Sequence, residues 1–399
     1  MVSKISEKFN INKIPLYLFY LGLTIELVIV VIDRSALPPL PDGQIYRVTF
    51  LLFALKVCLT KYTKKEWIWL ILFVLFTALM YFMTGQNVAL RAVFFVAAMR
   101  DIEIKFAMKY AFWLSLTGLL IIVTLSFFGI GRELMSTAVY RDVPETRYHF
   151  GIGHPNTFFC MILMLLLLLL YCYHERLKAF GYIILFAALF GLNLLADSRT
   201  GFAVCALAVL MAAMFYFFPH LRQANGVYFF GIFVFLLCIG FSLWVAYISD
   251  SGDLWTPGHL LERFDQILSA RLKAIHWEKP SASGRMGEWT LFAVNADYDR
   301  FFDMGWVRLF YWFGIIPGAL FCALHLTLLN VCRKEKDYMG LMMIVVISVY
   351  TIAEPQFISL YLGRNYLLYL FGAYWWLMLG ANGNGNYNWW QIKNWTKHN

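Results

Sequence analysis

Long apolar windows recur along the whole chain, and they constrain its fold more than any other feature of the sequence. A window of about 18 or more mostly apolar residues matches the length that an α-helix needs to cross a bilayer. Because 61% of the residues are apolar and only 14% are charged, the chain leaves no room for a soluble domain of ordinary size. We therefore predict an all-α polytopic membrane protein, with residues 1–399 forming a single transmembrane domain.

The hydropathy pattern predicts about twelve membrane spans. The fourth is short, and the seventh and eighth are joined by only a few residues, so they form a tight helical hairpin. The predicted spans are residues 14–32, 43–60, 66–83, 87–100, 108–130, 156–173, 180–196, 200–218, 228–248, 306–331, 339–354 and 357–379.

One long polar interval, residues 249–305, separates the ninth span from the tenth and is predicted to be a large loop. Within it, residues 259–277 carry apolar side chains near helical spacing, while Arg263 and Arg271 lie off that stripe. This pattern is typical of an amphipathic helix at a membrane surface. His276, in the same stretch, is either a surface residue or a catalytic one.

Lysines in alternate short loops predict the orientation of the chain. Lysines mark cytoplasmic loops, and those of the two terminal segments and of the loops around 61–65, 105–109, 178 and 334–336 fall on one side. Both termini are therefore predicted to be cytoplasmic, and residues 33–42, 131–155 and 249–305 extracytoplasmic. Since these lysines explain much of the net charge of +9, no nucleic acid is expected as a partner.

Arginines show the opposite distribution. The predicted cytoplasmic side holds 14 lysines and 4 arginines, whereas the outer side and outer membrane half hold 13 arginines and 2 lysines. Arginine binds phosphate and carboxylate with two parallel hydrogen bonds. The distribution indicates an outer side that handles an anion, and the alternative is a preference for arginine in structural ion pairs.

Glu26, Arg47, Arg91 and Arg364 all fall in the outer half of their predicted spans. A charge inside a bilayer costs several kcal/mol unless it faces a cavity or a partner. Together the four favour a polar cavity open to the outer side, with interhelical ion pairs as the alternative for each one. The seven cysteines lie in or beside apolar runs without metal-ligand spacing, so we expect packing roles and no metal cofactor.

Two short polar stretches precede predicted helices on the outer side. Arg147, His154 and Asn156 stand just before the sixth span, whose N-terminus is suited to bind an anion. The alternative is a capped helix start with loop charges. Residues 197–200 place Arg199 between the seventh and eighth spans, either as a cavity residue or as part of a capped hairpin turn.

The stretch from Asp303 to Gly314 resembles a signature of the Wzy-type polysaccharide polymerase and O-antigen ligase superfamily. In that family an acidic residue or a histidine stands eleven residues before a glycine, at the start of the helix that follows the large outer loop. Over about residues 90–370, four more stretches are similar to the Gram-positive-like polymerase branch. They are Gly153–Asn156, Ser198–Gly201, Leu268–Leu272 (where the family has Leu-Ser-Gly-Arg), and the late polar positions Glu354 and Arg364.

The resemblance implies a metal-independent, multi-span, GT-C-like glycosyltransferase in the bacterial plasma (inner) membrane. It would polymerise oligosaccharide repeat units, linked to undecaprenyl diphosphate, into a capsule, exopolysaccharide or O-antigen on the outer face. The lipid-linked oligosaccharide would be its substrate, and a flippase and a chain-length regulator its protein partners. Asp303 is the first candidate for the catalytic base, ahead of His154 and His276. The expected substrate-binding residues are Arg147, Arg199, Arg271, Arg364, Arg263, Glu354 and Asn156.

Three alternative functions stay open at this point. A ligase of the same superfamily would transfer the glycan to another acceptor, but Asp303 stands where ligases have a histidine. A flippase or exporter of lipid-linked oligosaccharide would need charges in both halves of the membrane. A sensor or structural membrane protein would not explain the excess of arginine on the outer side.

Overall fold

The computed structural model describes residues 13–35, 42–140, 143–268, 270–276, 284–294 and 303–379. Within these ranges the protein is a bundle of α-helices with one two-stranded β-hairpin. The first five helices are α1 (Ile14–Arg34), α2 (Asp42–Cys58), α3 (Lys64–Thr84), α4 (Val88–Ala98) and α5 (Ile104–Phe127).

Local sequence explains the bounds of α3. The Thr63 hydroxyl accepts a hydrogen bond from the Glu66 backbone N–H, and the Glu66 carboxylate accepts one from the Thr63 backbone N–H. This reciprocal pair satisfies two donors that the first turn of a helix leaves without partners. Gly85, with φ of 72°, ends the helix in the left-handed conformation that glycine favours.

A β-hairpin lies between α5 and the next helix. Its strands, β1 (Met135–Tyr140) and β2 (Val143–Tyr148), pair antiparallel with Met135 opposite Tyr148. The sequence analysis predicted only an extramembrane segment at residues 131–155, and the short strands gave too few alternating residues to identify. The hairpin leads directly to His154, at the start of the following helix.

Four long helices and two short ones follow the hairpin. α6 (Pro155–Tyr173) is largely buried and packs against α5 and α8, so it forms the centre of the bundle. These helices are α6, α7 (Ala179–Ala196), α8 (Arg199–Phe217), α9 (Asn225–Ile248), α10 (Leu260–Ile267) and α11 (Arg271–His276). The last two belong to the polar interval 249–305, of which residues 269, 277–283 and 295–302 lie outside the described ranges.

Two of the three spans predicted in the C-terminal part differ from the helices found there. The segment 306–331 is divided into α12 (Gly305–Phe313) and α13 (Ile315–Glu335) by Gly314, whose φ is 94°. A Cβ atom on Gly314 would stand 2.6 Å from the Leu291 carbonyl oxygen, so only glycine fits this approach. Backbone N–H groups at the start of α13 donate to the carbonyl oxygens of Thr290 and Leu291, which ties the polar interval to the break.

The last two helices are α14 (Tyr338–Ala353) and α15 (Tyr366–Met378). Between them, residues 354–365 are non-helical apart from a 3₁₀ turn at Leu362–Arg364. The prediction of a span over 357–379 was therefore too long at its start. Pro355 explains the end of α14, because the residue before a proline is pushed out of the α region and Glu354 is extended. Arg364 consequently precedes α15 rather than lying inside a helix.

Eight helices in the described ranges are long and apolar enough to cross a membrane: α1, α3, α5, α6, α7, α8, α9 and α13. Shorter apolar helices are α4, α14 and α15. This composition is that of a polytopic helical membrane protein. Two of the charges predicted to line a cavity form an ion pair between helices instead. Arg91 Nη2 lies 2.8 Å from Glu26 Oε1, and both side chains are buried.

Candidate active site

Five segments far apart in the chain bring their polar ends together at one end of the bundle. The side chains come from the starts of α6, α8 and α11, from the residue after α14, and from the approach to α12. We call this set the central cluster, and its members are Asn156, Ser198, Arg271, Asp303 and Glu354. Four of the five were predicted as site residues from the sequence, and Ser198 was noted only as part of a turn.

The start of α6 anchors the cluster. The Asn156 amide donates a 3.0 Å hydrogen bond to Glu354 Oε1, and its carbonyl oxygen accepts one of 3.0 Å from Ser198 Oγ. Ser198 is buried and stands just before α8, but its hydroxyl does not cap that helix. Ser198 therefore does not cap the turn, which was one of the two alternatives for this stretch, and its hydroxyl instead fixes the amide orientation of Asn156.

Arg271 holds the middle of the cluster. Its Nε donates to the Ala353 carbonyl oxygen at 3.1 Å and its Nη1 to the Leu268 carbonyl oxygen at 3.0 Å. Its Nη2 lies 3.7 Å from Glu354 Oε1 and 3.8 Å from Asp303 Oδ2. Two backbone contacts thus fix the guanidinium, while its third nitrogen faces two carboxylates at distances too long for direct hydrogen bonds.

Asp265 positions Arg271 although the two are not in contact. The buried Asp265 carboxylate accepts hydrogen bonds from the backbone N–H groups of Leu272 and Lys273, at 2.8 and 3.2 Å. These donors belong to the first turn of α11, where a negative charge is favourable. Sequence reasoning missed this role, because a cap supplied from six residues before the helix leaves no local motif.

Gly305 brings Asp303 to the end of α14. A Cβ atom on Gly305 would stand 2.6 Å from Thr351 Cγ2 and 3.0 Å from the Glu354 carbonyl oxygen. Any larger residue would push the start of α12 away from Glu354. The chain therefore needs glycine here for the two carboxylates to share Arg271.

The two carboxylates differ in environment. The Glu354 side chain is 5% exposed, whereas that of Asp303 is 38% exposed. Partial burial raises the pKa of Asp303 above its ordinary value, and the charges of Arg271, His154 and Arg308 oppose that rise. Asp303 is thus the more accessible carboxylate of the pair.

His154 lies beside the central cluster, with an exposed ring. Its Nδ1 accepts a 3.2 Å hydrogen bond from the Asn156 backbone N–H. In the neutral ring the proton must then be on Nε2. Nε2 is therefore a hydrogen-bond donor, which suits contact with an anion better than removal of a proton.

Arg147 and Arg199 form a second group around Asp197. Arg147 Nη2 lies 3.2 Å from Asp197 Oδ2, and Arg147 also binds the neighbouring Glu145. Arg199 Nε lies 3.7 Å from Asp197 Oδ1, with a side chain 71% exposed. Since Arg199 begins α8 directly after Ser198, this group adjoins the central cluster.

Arg308 is a site candidate that the sequence analysis did not select. It lies on α12, is 8% exposed, and its guanidinium stacks 3.5 Å above the centroid of the Trp312 ring. Its charged neighbours include Arg364 and Asp303. Arg364 is also buried, and its Nε donates to Ser359 Oγ at 3.2 Å. A charge within the apolar run 305–313 was the signal that would have identified Arg308.

Two predicted residues lie apart from the central cluster. His276, at the end of α11, has its Nδ1 3.8 Å from Asp250 Oδ1 and its ring beside Trp255. Arg263 is exposed on α10 and forms no ion pair among the described residues. The structure therefore unites Asn156, Arg271, Asp303 and Glu354, and leaves His276 and Arg263 at other surfaces of the polar interval.

Comparison with known proteins found no match among protein-family models, curated proteins or solved structures.

Proposed function

We propose that the protein is a membrane glycosyltransferase that polymerises lipid-linked oligosaccharide repeat units on the outer face of a bacterial plasma membrane. The proposal retains the twelve spans and the orientation predicted from the lysines. The observation that carries it is the convergence of Arg271, Asp303 and Glu354. A fixed guanidinium beside an accessible carboxylate suits a reaction that releases an anion while a hydroxyl loses its proton.

In the proposed reaction, an acceptor sugar hydroxyl attacks the anomeric carbon of a glycan bound to polyprenyl diphosphate. The Asp303 carboxylate takes the hydroxyl proton. A new C–O bond forms to the acceptor oxygen, and the bond from the anomeric carbon to the diphosphate oxygen breaks. The diphosphate leaves with the bonding electron pair, and arginine guanidiniums stabilise its charge.

The other residues have supporting roles in this proposal. Asn156 holds the Glu354 carboxylate by a hydrogen bond, and the two side chains orient the acceptor. His154 Nε2–H, Arg147 and Arg199 offer donors to the second substrate on the adjoining side. Arg271 and the Arg147–Arg199 group are two separate sets of cations. Two such sets fit a polymerase, because both its donor and its acceptor are linked to diphosphate.

The test replaces Asp303 with asparagine, which keeps size and most hydrogen bonding but removes the base. We expect normal protein levels, accumulation of single lipid-linked repeats, and polymer synthesis reduced about 10²–10⁴-fold. The measurement is the size distribution of lipid-linked glycans in cells whose own copy has been deleted.

Asp253→Asn is the matched control, because Asp253 is an exposed carboxylate of the same polar interval, outside the central cluster. It should leave the size distribution unchanged. Near-normal polymer from Asp303→Asn would remove Asp303 as the base. Full-length polymer that stays on its lipid carrier would instead identify a ligase.

A further inference from the structure

An apolar groove lies beside the central cluster, between α3 and α4 on one side and α12, α13 and α15 on the other. It has a volume of about 170 Å³ and is partly open to its surroundings. Apolar side chains such as Phe76, Ala92, Leu309 and Leu324 line nearly all of it. The polar side chains among its lining residues are Thr77, Ser359 and Asn365.

The groove is long in the direction of the helices. On α15 its lining runs from Asn365, just before the helix, to Trp375, which is about 15 Å at a rise of 1.5 Å per residue. On α13 it runs from Pro317 to Leu324, or about 10 Å. A slot of this shape fits a hydrocarbon chain lying parallel to the helices.

The polar end of the groove adjoins two buried arginines. Ser359 lines the groove, and its hydroxyl accepts the hydrogen bond from Arg364 Nε. Arg308 lies next to the lining residue Leu309, with Arg364 and Asp303 as charged neighbours. An amphiphile with its chain in the groove would therefore place its head group near two guanidiniums and within reach of the central cluster.

We infer that this groove and the Arg308–Arg364 pair together hold one polyprenyl diphosphate, with its isoprenoid chain in the groove and its diphosphate against the arginines. The inference rests on the proposed function and adds the side from which the lipid carrier approaches. The charges favour an anionic lipid over a neutral one. The Arg147–Arg199 group, by contrast, lies next to exposed loop residues and does not border this groove.

A groove-filling variant tests the occupant. Ala92→Trp places a large side chain in the groove. Ala188→Trp makes the same change on the exposed face of α7. We expect Ala92→Trp to weaken binding of undecaprenyl diphosphate to purified protein in nanodiscs by about tenfold or more, and Ala188→Trp to leave it unchanged. Equal binding by the two variants, measured by native mass spectrometry, would overturn the inference.

The head-group site is tested by Arg308→Gln. We expect about tenfold weaker binding of undecaprenyl diphosphate, because hydrogen bonds to charged groups are the strong ones. Binding of uncharged undecaprenol should not change. A phosphatidylglycerol competitor that displaces the carrier at equal concentration would show a general lipid site and overturn the assignment.

Photo-cross-linking covers the case in which a variant fails to fold. The unaltered protein is labelled with a diazirine-bearing polyprenyl diphosphate, and the labelled peptides are mapped. Labels on α4 and α13 are expected, whereas labels confined to α7 would contradict the inference. Because these assays measure binding without turnover, carrier binding in a protein that makes no polymer would refute the proposed function alone.

Discussion

The choice of base illustrates what individual residues contribute. Asp303 and His154 were both candidates, and the structure places them near each other at the same end of the bundle. The hydrogen bond into His154 Nδ1 assigns the ring proton to Nε2. Asp303 is then the group with an accessible acceptor, and its role as the base stays a prediction.

The pH dependence of activity should follow from this assignment. A base acts when ionised, so activity falls as the pH falls through its pKa. Because burial raises the pKa of Asp303, we expect the acid limb of kcat/KM above the ordinary carboxyl value of about 4. The measurement is a pH profile of polymer synthesis in reconstituted membranes.

Asp303→Asn should abolish that limb in whatever activity remains, while Asp253→Asn should keep it. A limb that persists in Asp303→Asn would assign the titration to another group, with Glu354 tested next.

The sequence indicated most of the central cluster but not its connections. Asn156, Arg271, Asp303 and Glu354 were selected as polar residues at the ends of apolar runs. Ser198 and Asn156 are 42 positions apart in the sequence, and Asn156 and Glu354 are 198 positions apart. No local sequence pattern encodes contacts over such separations. Arg308 was missed because an isolated arginine in an apolar run has the same pattern whether it binds a ligand or packs on a tryptophan.

At the scale of elements, α11 begins under strain. Ala270, the residue before Arg271, has φ of 63°, in the left-handed region that costs a non-glycine residue roughly 1 kcal/mol or more. The superfamily pattern that this stretch resembles has glycine at the same position. The Asp265 cap and the Arg271 contacts hold the element in place despite that cost.

Ala270→Gly should therefore stabilise α11, by about 1 kcal/mol. Amide hydrogen exchange in α11 should slow about fivefold, without change in the transmembrane helices. The control is Ala274→Gly, inside α11, which should speed exchange because glycine costs about 0.5–1 kcal/mol in a helix. Faster exchange in both variants would show that Ala270 is not strained.

Element boundaries were predicted well where apolar periodicity ran without interruption, as in α6 and α9. They failed at Gly314 and at residues 354–365, where the chain stays apolar but leaves the helix. Hydropathy measures burial, not backbone conformation. Pro355 and the close approach at Gly314 decide the conformation there, and the second depends on a contact 23 residues away in sequence, with Leu291.

At the scale of the whole molecule, the bundle has a central helix, α6, and peripheral helices with mostly exposed apolar faces, such as α3 and α7. The β-hairpin and the polar interval stand at the end that carries the central cluster. The membrane character could be predicted from composition alone, because the apolar content of the chain does not depend on which residues are in contact. The direction in which the bundle crosses the membrane remains the prediction made from the lysines.

That direction has a direct test. In a Cys58→Ser background, which removes the one exposed native thiol, a cysteine is introduced at exposed Gly252 or exposed Lys61. An impermeant thiol reagent should label the Gly252 variant in intact cells and the Lys61 variant only after lysis. The reverse pattern would place the central cluster on the cytoplasmic side and contradict the proposed function.

The junction at Gly314 limits how the polar interval can move. Thr290 and Leu291 accept hydrogen bonds from the first turn of α13, and the Ala293 N–H donates to the Phe313 carbonyl oxygen. These backbone hydrogen bonds hold residues 290–293 of the polar interval against the break between α12 and α13. Residues 249–289, which carry α10, α11 and Arg271, and residues 294–305, which carry Asp303, therefore lie on either side of one fixed point.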